Sequence, residues 1–115
     1  MRFILASLAI GAMCLSANAQ QPASGLGFGG TTCSTWIIER RDGSTNPVDA
    51  RHAWITGYLS GVQAITGSPT LLVGIDDVTV DRWIDNYCSG HQFASIGEAT
   101  EALVKELRPR IKNSN

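Results

Sequence analysis

The chain has 115 residues, nine Lys and Arg against ten Asp and Glu, and 43% hydrophobic residues, a length that fits a single domain. A formal net charge of −1 provides no electrostatic footprint for a nucleic-acid partner. The three cysteines and two histidines fall at none of the spacings of zinc fingers or Cys-x-x-Cys redox pairs, which excludes those small modules.

Residues 1–19 read as a secretory signal. Met1-Arg2 is the positive start, Phe3 to Leu15 the apolar run, and Ala17-Asn18-Ala19 the small-x-small pattern that places cleavage after Ala19. The run falls short of the roughly 20 apolar residues of a spanning helix, so no membrane anchor is expected. Cys14 raises a lipoprotein alternative, but Met13 stands where a lipobox requires a small residue. Loss of the signal removes Arg2 and Cys14, which leaves eight Lys and Arg against ten Asp and Glu and a net charge of −2. Cys33 and Cys88 then form an even pair in an oxidising, extracytoplasmic compartment, and a disulfide is expected between them.

Residues 20–30 are rich in Gly, Gln and Ser and are expected to form a flexible leader ahead of a helical domain over 31–110. Thr31 or Thr32 caps a first helix through Glu39 or Arg40, with Cys33, Trp36 and Ile37 on one side. Asn46-Pro47 predicts the start of a second helix running to Thr66, with Asn46 as its N-cap. Trp54, Tyr58, Val62 and Ile65 form its expected apolar stripe, flanked by Ile55 and Leu59. Ala50, Ala53, Gly57, Gly61 and Ala64 form a row of small residues that would let another helix approach closely. Each of the two glycines costs about 1 kcal/mol relative to Ala inside a helix, which points to such a packing reason.

Gly67-Ser68-Pro69 ends that helix, and Thr70 to Gly74 is a short apolar link. Asp76 and Asp77 open a third helix through Cys88, in which Val80, Trp83, Ile84, Tyr87 and Cys88 follow helical spacing. Ser95-Ile96-Gly97-Glu98 reads as a capping box for a fourth helix, with Ile96, Ala99, Leu103 and Leu107 inward. Pro109 limits it, Arg110 onward is expected to fray, and 111–115 form the tail. The fold class expected is therefore all-α: one small domain of about four short helices stapled by Cys33–Cys88.

No constellation of nucleophile, base and metal ligands is visible, so the expectation is a non-enzyme with no catalytic, cofactor-binding or metal residues. Asp76, Asp77, Asp81 and Asp85 lack the alternating ligands and central Gly of an EF-hand and read as a cap followed by a solvated face. His52 and His91 read as isolated, solvated histidines. Ser60 lacks a nucleophile elbow and is assigned to helix packing. Trp54, Tyr58, Trp83 and Tyr87 form the candidate binding surface, although aromatics at helical spacing are usually core.

Thr32-Cys33 followed by Trp36, Asn46-Pro47 opening a helix, and Val78 to Cys88 leading into a last helix with a basic tail resemble the HdeA type of small periplasmic one-disulfide protein. The tail is short and Lys content is low compared with that type. The resemblance implies a periplasmic acid-stress chaperone, a possible homodimer whose partners are unfolded client proteins. Trp54-Ile55-Thr56-Gly57-Tyr58 and Trp83-Ile84-Asp85-Asn86-Tyr87-Cys88 resemble the small immunity proteins that neutralise type VI secretion effectors. That resemblance implies instead one tightly bound protein partner.

Overall fold

The computed structural model describes residues 27–43 and 45–112. The predicted signal at 1–19, most of the leader and the last tail residues lie outside the described residues. Among the described residues the protein is all-α, with α1 at Cys33–Asp42, α2 at Thr45–Thr66, α3 at Asp77–Gly90, α4 at Ile96–Leu107 and a final turn, α5, at Pro109–Lys112.

The helix starts follow local chemistry. Thr32, Asp76 and Ser95 are extended N-caps whose side chains accept from Thr35, Thr79 and Glu98 backbone N–H groups, satisfying donors that a helix start leaves orphaned. Glu98 reaches back to the Ser95 N–H, completing the capping box. α1 runs two residues past Arg40 because Gly43 stops it with φ +68°, a left-handed conformation that glycine adopts without Cβ strain. α2 begins at Thr45, so Asn46 lies inside the helix and not at its cap.

Cys33 and Cys88 are bonded, with Cα atoms 4.8 Å apart across a sequence separation of 55. Both are fully buried and tie α1 to α3 at the centre of the core. Around them pack Trp36 of α1, Ile55 and Leu59 of α2, Val80 and Ile84 of α3 and Ile96, Ala99, Leu103 and Leu107 of α4, with Leu71 entering from the link. An isolated antiparallel bridge joins Thr32 to Ser95. There the Cys33 N–H donates to the Ala94 carbonyl at 2.8 Å and the Ile96 N–H to the Thr31 carbonyl at 2.8 Å, so the starts of α1 and α4 are pinned together.

Three sequence expectations are corrected. The buried face of α2 is Arg51, Ile55 and Leu59 at i, i+4, i+8, one position round from the expected stripe; Tyr58 is exposed and Ile65 is 89% exposed. Arg51 extends an otherwise apolar face because Glu39 of α1 neutralises it and Thr31 accepts from its Nε at 3.1 Å. Among the described residues no helix packs on the small-residue row, since a Cβ built on Gly57 or Gly61 meets none of them within 4 Å.

The remaining correction concerns the ends. Gly27–Gly30, assigned to the flexible leader, forms a 3-10 turn with Gly29 buried beneath Trp54. A Cβ on Gly29 would lie 2.4 Å from Cζ2 of that indole, so the glycine is required by close approach. Gly29→Ala is expected to displace the Trp54 ring and destabilise the fold by about 1–3 kcal/mol, read by thermal melting and indole fluorescence. At the other end Ile111 packs on the core, the Arg110 carbonyl accepts from Thr70 at 3.1 Å, and the Arg110 guanidinium donates to the Val73 carbonyl at 2.8 Å. The domain therefore extends beyond 110, the predicted boundary, and residues 110–112 are folded.

Candidate functional site

The four aromatic residues of the candidate surface fall into two separate pairs. Trp54 and Tyr58 lie on α2 with ring centroids 5.5 Å apart, and Trp54 covers the Gly27–Gly30 turn. Trp83 and Tyr87 stack on α3, also at 5.5 Å, and the Trp83 indole N–H donates to Glu106 of α4 at 2.9 Å. The ring contacts run within each pair, consistent with i, i+4 neighbours on one helix. Both tryptophans are half-buried and serve packing as much as surface.

His91 extends the second pair. Its ring stacks on Tyr87 at 4.1 Å and its Nδ1 donates to the Tyr87 carbonyl at 2.8 Å, so the expected isolated histidine is in fact the last plate of a Trp83–Tyr87–His91 stack. Beside the stack a cleft of about 660 Å³ is bordered by Gln92, Phe93 and Glu98. Phe93 is 100% exposed, yet its neighbours are fixed, because the Gln92 and Ala94 carbonyls accept from the Ser34 and Cys33 N–H groups. The residue was passed over in the sequence reading because it belongs to no periodic element.

A second constellation, formed at the junction of α1, α2 and α3, was also missed. Asp81 and Asp85 occupy successive turns of α3 and face Arg40 of α1. Arg40 grips Asp85 through Nε at 3.0 Å and Nη2 at 2.6 Å, and reaches Asp81 through Nη1 at 3.3 Å. Asp85 also accepts the buried Trp36 indole N–H at 2.8 Å, and the Arg40 guanidinium lies 5.4 Å from the centroid of that ring. The remaining Asp81 oxygen meets His52 Nδ1 of α2 at 2.6 Å, while His52 Nε2 lies 3.4 Å from Asp77.

These contacts overturn the reading of His52 as isolated and of the α3 aspartates as only a cap and a solvated face. Asp76 is the cap and Asp77 is largely solvated, whereas Asp81 and Asp85 carry the seam. Burial works against charge on His52, but hydrogen bonding to Asp81 and the fields of Asp81 and Asp77 outweigh it and hold the imidazolium above its ordinary pKa. The hydrogen bonds that Arg40 donates to Asp85, opposed by burial and aided by the charges of Asp85 and Asp81, likewise raise the Arg40 pKa. Asp76 is held below the usual carboxylate range by its hydrogen bonds to the Thr79 hydroxyl and N–H.

The chemistry of this junction is that of ion pairing. A cleft of about 360 Å³ opens beside His52, bordered by Glu39, Asp49, Asp77 and Val78. Among the described residues no group of three or more His, Cys, Asp or Glu is disposed to hold a metal ion. Ser60 is on the exposed face of α2 and not in a helix interface, its hydroxyl donating back to the Thr56 carbonyl at 2.8 Å. Among the described residues no helix is long and apolar enough to cross a membrane. No protein-family model, no curated protein and no solved structure matches the chain.

Proposed function

We propose that the chain is an exported, non-catalytic periplasmic protein that acts as an acid-stress chaperone, holding unfolded clients. The observation that carries this reading is the α1–α2–α3 seam, in which Asp81 and Asp85 hold Arg40, His52 and Trp36 together. Carboxylates ordinarily take up protons at about pH 4 and below, which removes the anionic half of such a seam. Net charge after loss of the expected signal then moves from −2 toward about +10 with both histidines charged, and self-repulsion opposes the compact state.

Two features favour partial opening over full unfolding. The Cys33–Cys88 bond is indifferent to protons and keeps α1 on α3. The Asp76 cap, with its carboxyl held below the ordinary value, supports α3 at neutral pH and is lost only as pH falls through that lowered value. Helix α2, whose apolar face holds Ile55 and Leu59, carries no cysteine of the disulfide, so its release would present client-binding surface.

Light scattering of an aggregating client at pH 2.5 and pH 7 tests the reading. Suppression in acid and none at neutral pH is expected; a folded monomer at pH 2.5 that protects no client contradicts it. The alternative, an immunity protein that neutralises a type VI secretion effector, is favoured by Phe93, an exposed aromatic on a loop fixed by backbone hydrogen bonds, as an interface anchor requires. Capture of one tight partner at neutral pH, absent any acid effect, would select it.

A further inference from the structure

We propose that His52 is a charge-dependent latch that holds α2 against α3 most tightly while its ring carries both protons. The geometry places an acceptor at each ring nitrogen: Asp81 Oδ1 lies 2.6 Å from Nδ1 and Asp77 Oδ1 lies 3.4 Å from Nε2. An imidazolium has two N–H donors and serves both carboxylates. A neutral ring has one. If its proton stays on Nδ1 for the shorter bond, the Nε2 lone pair faces the Asp77 carboxylate, and an attraction becomes an acceptor facing an acceptor.

The surroundings reinforce this preference. From α1, Arg40 takes the other Asp81 oxygen at 3.3 Å, so Asp81 is shared between two cations and oriented by both. Glu39, also on α1, borders the same cleft but is engaged by Arg51. Asp49 lies one turn before His52 on α2 and adds a third carboxylate to the cleft. The His52 and Asp81 side chains are 20% and 19% exposed, so their pairing is partly shielded from solvent, whereas Asp77 is 83% exposed and adjustable.

The sign of the effect is opposite to that of acid opening. A histidine whose folded pKa is raised contributes stability that is fully present below its ordinary value of about 6.5 and is lost as pH rises through the raised value. The seam is thus bounded on two sides, by carboxylate protonation in acid and by loss of the His52 proton as pH rises through its raised value. This upper limit does not depend on any chaperone activity, and its failure would leave the acid reading untouched.

Thermal melting of the purified protein between pH 6 and pH 9, with a proton NMR titration of the His52 ring, tests the latch. Tm is expected to fall across that range in the wild type and to stay level in His52→Gln, while His91→Gln, which leaves the seam intact, keeps the wild-type slope. The His52 titration midpoint is expected above 6.5 and to move down in Asp77→Asn, a substitution at an exposed position that does not threaten folding. A His52 midpoint at or below 6.5, an unmoved midpoint in Asp77→Asn, or the same Tm slope in His52→Gln would overturn the proposal.

Discussion

Cys33→Ser is expected to lower stability by about 4 kcal/mol, the chain-entropy value for opening a loop of 55 residues. For a domain of this size such a loss is a large part of the total, which is ordinarily about 5–15 kcal/mol. The cost arises mainly in the unfolded chain, which gains freedom once the two ends of the loop are no longer joined. The folded state adds to it, because both sulfurs are fully buried and a serine hydroxyl at 33 would enter an apolar core. Chemical denaturation with and without reductant measures the effect. The oxidised wild type should be far more stable than Cys33→Ser, and reduction should bring the wild type down toward the variant without changing the variant itself. An unchanged denaturation midpoint in Cys33→Ser would show that the bond is unimportant to stability.

Trp36→Ala should be nearly as damaging, with a loss of about 3–5 kcal/mol. The indole is fully buried beside the disulfide, and its N–H donates from the core to the charged seam, reaching Asp85 at 2.8 Å. Trp36→Phe separates the two contributions. It retains most of the apolar volume and forfeits the hydrogen bond, so a smaller loss of about 1 kcal/mol is expected, because Arg40 still satisfies the Asp85 carboxylate. Equilibrium denaturation of both variants checks the order; equal losses would mean that the hydrogen bond, and not the packing, dominates at this position.

The helices were legible because their signals are local. The Ser95–Glu98 capping box, the Asp76 cap and the Val80-Ile84-Cys88 repeat lie within one or two turns of sequence, and the structure follows them closely. The disulfide was legible because the expected removal of Cys14 with a signal peptide would leave only Cys33 and Cys88. What sequence concealed was contact at a distance. His52 meets Asp81 across 29 residues and Arg40 meets Asp85 across 45, and no spacing rule links such pairs.

The Gly27–Gly30 turn was hidden for a different reason. Its composition is that of a flexible segment, and only the flat Trp54 ring lying over Gly29 turns the missing side chain into a fit. On α2 the small residues misled in the opposite direction. Gly57 and Gly61 meet none of the described residues, while the core is reached by Ile55 and Leu59, so the helix is rotated from its expected register by one position.

Acid is expected to open the seam while the disulfide retains a partly folded chain. Small-angle scattering of the oxidised protein at pH 7 and pH 2, with far-UV circular dichroism and binding of an apolar dye on the same samples, tests it most directly. A radius larger by about 10–20% in acid, with helical signal largely kept and dye bound, is the expected result. An unchanged radius with no dye binding at pH 2 would contradict it.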